Sequence, residues 1–281
     1  MRLKADLTLL FVSMLWGSAF VFQRIVGQQG GVYYFNGLRF LLGALILLPF
    51  IWKRKVTSRG QWLWMGIAGA ILFVASALQQ AGIQFTTAGN AGFITSLSVV
   101  IVPFVLLFGW RERPRWSAVV AVVMAGVGAY LLSTGGSFRV QKGDALELAG
   151  ALFWALHLVL LGKFAPYFES IPFAVGQFVV AGFLNLFTGF IFEVPIINGA
   201  VVGAVAYTAV FSVGIGYTLQ VWGQRFTPPT DAALILSLEA VFAVLTAWLF
   251  LSERLVVIQI IGCALILGGV LLTQLRSGNS E

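Results

Sequence analysis

Apolar positions along this chain neither alternate nor keep to one helical stripe. They run in blocks of about twenty residues, the length a helix needs to cross a hydrocarbon core, with short polar breaks between them. Ten blocks can be marked, at residues 7–27, 33–52, 62–83, 88–109, 116–134, 144–164, 172–192, 199–223, 231–252 and 256–275. The first, "LTLLFVSMLWGSAF" behind Arg2 and Lys4, has the outline of a signal peptide, but a later counterpart argues that it is retained. Of 281 residues, 59% are hydrophobic and 10% charged, which excludes a water-soluble domain. The pattern predicts an all-α membrane protein with ten transmembrane helices.

Sliding the chain on itself exposes a duplication. At an offset of 138, Asp6 falls on Asp144, Trp16 on Trp154 and Arg39 on Gln177. At an offset of 141, Gln79 falls on Gln220, Gly82 on Gly223, Ser96 on Ser237, Ser98 on Glu239 and Glu112-Arg113 on Glu253-Arg254. The expected units are residues 1–137 and 138–281, five helices each. Five is odd, so the second unit re-enters from the opposite side. Such inverted repeats place a solute site near mid-bilayer between the units.

Charge changes the picture only by orienting it. With the N-terminus in the cytoplasm, Arg2, Lys4, Lys53, Arg54, Lys55, Arg59, Arg111, Arg113, Arg115, Lys163, Arg225 and Arg276 lie inside. Arg24, Arg139, Lys142 and Arg254 lie outside, and Arg39 lies within a block. This obeys the positive-inside rule and puts both termini in the cytoplasm. The net charge of +7 therefore needs no nucleic-acid partner. Trp52, Trp62, Trp64, Trp110 and Trp116 fall at the cytoplasmic block ends, as interfacial anchors do.

The polar residues inside the blocks are the candidate chemistry. Glu239 lies roughly 12 Å into its block at 1.5 Å per residue, near the middle of the bilayer. A charge there is expensive, so it faces a cavity or a partner; a proton- or cation-binding role competes with a structural one at a helix break. Arg39 needs a carboxylate, carbonyls, an anionic solute or a route to the interface. His157, the single histidine, could relay protons or serve as a buried hydrogen-bonder. Trp16 and Trp154 could wall a solute site, and Gln79, Gln177, Gln220 and Ser98 could line it or bond neighbouring helices. Gln80 and Gln84, near an outer helix end, are expected to be solvated. The substrate-site set is thus Trp16, Arg39, Gln79, Ser98, Trp154, His157, Gln177, Gln220 and Glu239, with Glu239 and His157 as proton-coupling candidates.

Four segments, "LWGSAFVFQR", "FNGLRFLLGALILLP", "LQQAGIQFTTAGNAGFITSL" and "SLEAVFAVLTAWLFLSERL", resemble in order the EamA-type members of the drug/metabolite transporter superfamily. Ser252 and Ala240 depart from the glycine and proline usual at those places in that family. The resemblance implies secondary transport of a small organic metabolite across the cytoplasmic membrane, with export of amino acids or amines as its leading form. It also makes the fifth and tenth helices peripheral. Their small residues Ala121, Ala125, Ala129, Ala264 and Gly268 permit close packing, and a homodimer through these helices is a further partner reading.

Alternatives stay open: an uncoupled facilitator of sugar or nucleotide derivatives, or a scaffold or sensor that moves nothing. An enzyme is not expected, because one histidine, one cysteine and the absence of HExxH and GxSxG motifs leave little for a metal site or nucleophile. No cofactor is expected, and no Walker A loop offers direct ATP drive. The expected partners are a small-molecule solute and the lipid bilayer.

Overall fold

The computed structural model describes residues 1–51, 59–134, 142–251 and 256–277. Trp52, Lys53, Arg54, Lys55, Arg139, Ser252, the pair Glu253-Arg254 and the expected unit boundary at 137–138 lie outside the described residues. What is described is helical: α1 (Arg2–Gly27), α2 (Tyr33–Ile51), α3 (Arg59–Gly82), α4 (Ala88–Ser96), α5 (Ser98–Trp110), α6 (Trp116–Thr134) and α7 (Asp144–Phe164). After these come α8 (Ser170–Phe192), α9 (Gly199–Tyr207), α10 (Thr218–Gly223), α11 (Pro229–Leu236), α12 (Glu239–Leu251) and α13 (Val257–Ser277). Counting consecutive pieces as one rod, eight rods are long and apolar enough to cross a membrane, and shorter apolar stretches lie at Trp116–Leu131 and Val257–Leu272.

Apolar side chains cover much of the outer surface: Phe11 and Met14 on α1, Leu45 on α2, Phe108 on α5, Phe187 and Phe190 on α8. Lipid accepts such faces where water would not. Trp62 and Trp116 stand exposed, whereas Trp64 stacks on Phe164 at 3.5 Å. Inside, one apolar cluster joins α1, α4, α5, α7, α11 and α12 to α6 and α13. A second joins α2, α3, α7 and α8 to a π-helical segment, Thr208–Tyr217, between α9 and α10.

Two rods that the hydrophobic pattern reads as continuous are broken. The first breaks at Leu97 between α4 and α5, and the second at Ser237 and Leu238 between α11 and α12. At each break a serine hydroxyl turns back on its own backbone, Ser96 to the Phe93 carbonyl at 2.7 Å and Ser237 to the Leu234 carbonyl at 2.7 Å. Such local bonds compete with the regular ladder. Neither break contains glycine or proline, so composition offers no signal for them.

The small-residue stripe of α6 is consumed within the chain. Ala121, Ala125 and Ala129 are buried, and a Cβ on Gly269 of α13 would lie 2.8 Å from the Ala121 carbonyl oxygen. Outward, α6 shows Val123 and Val127, and α13 shows Ile260, Ile261 and Leu267. Gln80, expected in solvent, is fully buried and donates to the carbonyls of Gln23 at 3.0 Å and Gly31 at 3.1 Å. The turn carrying Gly31 folds back over this helix end and replaces water there.

Glu193, in the segment after α8, caps α2 from outside its own sequence neighbourhood. Its carboxylate accepts from the backbone N–H groups of Val32 at 2.7 Å, Tyr33 at 2.6 Å and Tyr34 at 2.9 Å. Removing a capping oxygen costs about 0.5–2 kcal/mol, and here three donors lose their acceptor. Glu193→Ala is expected to lower the thermal midpoint in detergent, with Glu193→Gln recovering part of the loss. An unchanged midpoint in Glu193→Ala would mean that water serves these donors equally well.

Candidate functional site

The broken rods meet α1 in the middle of the bundle. Gly17 of α1 sits against the backbone of α12: a Cβ there would lie 2.8 Å from the Glu239 carbonyl oxygen and 2.8 Å from the Ala243 nitrogen. That approach puts Trp16 and Glu239 on the wall of one cavity, which also takes residues from α2, α3, α4, α5, α7 and the π-helical segment. Glu239 is the first residue of α12. It is 7% exposed, and no described residue makes a hydrogen bond or ion pair to its carboxyl. The start of a helix favours negative charge by about 0.3–1 kcal/mol, which tempers the burden of burying a carboxyl without removing it.

The π-helical segment explains how the aromatic wall is held. Widening the helix turns backbone carbonyls away from the regular ladder, and such segments gather at functional sites. Trp16 Nε1 donates to the Ser212 carbonyl at 3.1 Å. Gly216 keeps room for that indole, since a Cβ there would lie 2.7 Å from Trp16 Nε1. Tyr217, at the end of the segment, lies 4.8 Å from Trp16 and 6.2 Å from Trp154 between ring centroids. Tyr217 shares the cavity wall with Arg39 and Glu239.

Arg39 is 2% exposed on α2. Its guanidinium carbon lies 5.0 Å from the Phe35 ring centre and 5.1 Å from that of Phe40, and among the described residues it has no carboxylate partner. Cation–π contacts of this kind contribute about 0.5–2 kcal/mol, less than the several kcal/mol that burying an ion costs. A fixed cation is thus left facing the cavity, able to receive an anionic group. Gln79 donates to the Thr95 hydroxyl at 2.8 Å, and the side-chain oxygens of Gln23 and Gln220 are buried without a donor.

Seven of the nine candidate residues line this cavity: Trp16, Arg39, Gln79, Ser98, Trp154, Gln220 and Glu239. His157 and Gln177 stand behind its wall, 1% and 0% exposed, and bond each other at 2.8 Å. The imidazole lies nearly perpendicular to the rings of Trp154 and Tyr217, each at 6.2 Å, and so packs against two of the wall rings from behind. The wall also takes Thr95 and Leu236, which helical spacing puts on the same stripes as Ser98 and Glu239, and Phe20, Gln23, Leu158, Ser212 and Tyr217, which were not singled out from sequence. Tyr217 had no signal to find it by, because its place depends on the π-helical turn. The cavity is narrow, about 50 Å³, so an organic solute must spread its walls. Among the described residues no three His, Cys, Asp or Glu side chains group to hold a metal ion.

Long apolar helices around a polar, aromatic-walled chamber define a polytopic membrane protein with an internal cavity. The chain belongs to the EamA-like transporter family, whose model matches twice, at residues 3–134 and 141–275. An uncharacterized transporter of Archaeoglobus fulgidus is 35% identical to it, covering 98% of this chain and 87% of its own. The uncharacterized transporter YetK of Bacillus subtilis is 24% identical over 92% of this chain and 83% of its own. A solved crystal structure superposes with a TM-score of 0.81 over 100% of both chains at 20% identity, a likeness of fold alone.

Proposed function

We propose that this chain is a secondary transporter, built as ten spans in two inverted five-helix units with both termini in the cytoplasm. It moves a small organic metabolite across the cytoplasmic membrane by alternating access. One observation carries the reading: ten of the fourteen cavity-lining residues fall into five pairs at the repeat offsets. At 138 these are Trp16 with Trp154 and Phe20 with Leu158; at 141, Gln79 with Gln220, Thr95 with Leu236 and Ser98 with Glu239. The breaks at Leu97 and Leu238 are also 141 apart. A chamber drawn equally from two related halves is what rocking one half against the other requires.

In this mechanism the solute's anionic group meets Arg39 and its flat or apolar part lies between Trp16, Trp154 and Tyr217. Glu239 receives either a cationic group or a proton. Solutes with both charges, amino acids among them, and amines are the first to test, with export the favoured direction. A homodimer through α6 and α13 would have to use the outward face of α6 around Val123 and Val127, because the α6 alanines face inward, and on α13 the exposed Ala264 beside Ile260, Ile261 and Leu267. The reading is tested by counterflow in proteoliposomes: externally labelled metabolites should accumulate in vesicles preloaded with the same unlabelled compound. If none of a broad panel exchanges while the protein is folded and inserted, the transport reading fails.

His157 acts in this scheme by positioning, and Glu239 by exchanging a proton. His157→Gln is expected to lower the transport rate severalfold by shifting Trp154 and Tyr217, with the pH profile between pH 5 and 8 keeping its shape. A flattened profile in that variant would move the coupling role to His157.

A further inference from the structure

Where α3 ends and α7 begins, a carboxyl is buried that the cavity does not use. Glu147 is 1% exposed. It is wedged onto Gly82, where a Cβ would lie 2.7 Å from Glu147 Cγ and 3.0 Å from its Oε1, as well as 3.0 Å from the Gly143 carbonyl oxygen. The opposite end of the bundle holds the same joint. There a Cβ on Gly223 would lie 2.9 Å from Leu9 Cδ2 and 3.5 Å from the Ala5 carbonyl oxygen. Gly223 is Gly82 displaced by 141, and Glu147 and Gly143 are Leu9 and Ala5 displaced by 138. An isobutyl group closes one joint and a carboxyl the other, so packing alone does not require the carboxyl.

Among the described residues no cation neutralises it. On its own helix Asp144 acts on it with a like charge, Lys142 just before is exposed, and His157 and Lys163 lie turns away. Of the helices packed against α7, α4 and α5 carry no ionisable Asp, Glu, His, Lys or Arg, and α3 carries only Arg59 at its far end. Asp231 of α11 is at the other end of the bundle, paired with Arg2. Arg24 of α1 reaches this end but is held by the carbonyls of Ile83 at 2.5 Å and Gln84 at 2.9 Å. The Thr95 hydroxyl is within reach of the Glu147 carboxyl, yet neither oxygen completes a regular hydrogen bond. Thr95 accepts from Gln79, and both line the central cavity.

We propose that Glu147 is a second proton-binding site, separate from Glu239, which takes up a proton when the end formed by α3 and α7 closes and releases it to water when that end opens. Burying an unpaired carboxylate charge is strongly unfavourable, whereas a neutral acid packs where its counterpart Leu9 packs. One proton from water forms one O–H bond on closure, and the same bond breaks on opening. Through Thr95 and Gln79 the joint is tied to the cavity wall, so solute occupancy and proton occupancy influence each other. The assignment of this end to the outside rests on the orientation proposed above; the proton site itself does not.

The test uses the full chain in lipid nanodiscs, with pH-difference infrared spectroscopy of the buried carboxylic C=O stretch and no added solute. Glu147→Gln and Glu147→Leu should each lose one component that Glu239→Gln retains. Glu147→Leu copies the counterpart joint and keeps the experiment decisive if Glu147→Gln folds poorly. An undiminished signal in the Glu147 variants overturns the proposal, as does a component that responds to sodium chloride at fixed pH, which would mark a cation site. A second readout places a cysteine at Gln84 in a Cys263→Ala background. Its labelling by an impermeant maleimide should rise with pH more steeply in the otherwise wild-type chain than with Glu147→Leu, where only the ionisation of the thiol itself remains; an equal rise in both overturns the coupling to closure. Because no solute is involved, failed counterflow would sink the transport reading and leave this result standing.

Discussion

Exchange of Glu239 for Gln is expected to cut uptake driven by a pH gradient by tenfold or more, while exchange of solute across vesicles at equal pH survives. Among the described residues Glu239 is the only carboxyl on the cavity wall, and none of them holds it by an ion pair or hydrogen bond. A carboxyl so placed serves whatever occupies the cavity: a proton, or a solute's cationic group. Glutamine keeps the volume and the hydrogen-bonding capacity but cannot release a proton or hold a charge. If Glu239 carries the proton, only the driven mode suffers, and a tenfold loss corresponds to about 1.4 kcal/mol in the relevant equilibrium. If instead it binds a solute's cation, Glu239→Gln should weaken counterflow as well, with affinity falling for amines and amino acids and unchanged for neutral solutes. Wild-type rates in both modes, across pH 5 to 8, would remove Glu239 from the mechanism. Parallel measurement in Ser98→Ala, the repeat counterpart, separates a local change in the cavity from loss of the carboxyl.

The apolar blocks were legible because lipid imposes a length on every crossing helix, and the ends of α2, α8 and the Gly199–Gly223 rod fall within a few residues of the pattern. Glu239, Trp16 and Trp154 were legible as residues out of place in hydrocarbon, and their depth was enough to bring them together. The breaks were not. Leu97 and Leu238 are good helix formers, and the serine hydroxyls that turn back on the backbone at each break have no sequence signature of their own. For His157 the sequence left a buried hydrogen-bonding role beside a proton relay, and for Gln177 a bond to a neighbouring helix beside cavity lining, without naming a partner for either. Only the crossing of α7 with α8 reveals that each is the other's hydrogen-bond partner. Arg39 could be given a depth but not a setting, since two phenylalanine rings and no carboxylate are a tertiary fact. The joint at Gly82 was half visible: its glycine was noted in the repeat, but Glu147 was hidden by falling opposite a leucine.

The contact that sets the cavity's geometry is the one between α1 and α12, and it rests on the absence of a side chain at Gly17. A Cβ there would lie 2.4 Å from Phe242 Cβ, 2.8 Å from the Ala243 nitrogen and 2.8 Å from the Glu239 carbonyl oxygen. Two of these are backbone atoms and the third is fixed to backbone, so no rotamer change can relieve the overlap; the helices must part. Overpacking of this kind costs about 1–3 kcal/mol for a single methyl, which in a chain of this size corresponds to roughly 2–4 °C in thermal midpoint per kcal/mol. Gly17→Ala is expected to yield folded protein with a midpoint several degrees lower and impaired transport, because parting α1 from α12 moves Trp16 and Glu239 apart. Gly17→Val is expected to yield little folded protein. The discriminating control is Gly203→Ala, whose Cβ would meet nothing within 4 Å and which should behave as wild type. A Gly17→Ala variant with an unchanged midpoint and unchanged transport would show that α1 and α12 do not stay in this close contact, and that Trp16 and Glu239 are held in place by something other than their helix crossing.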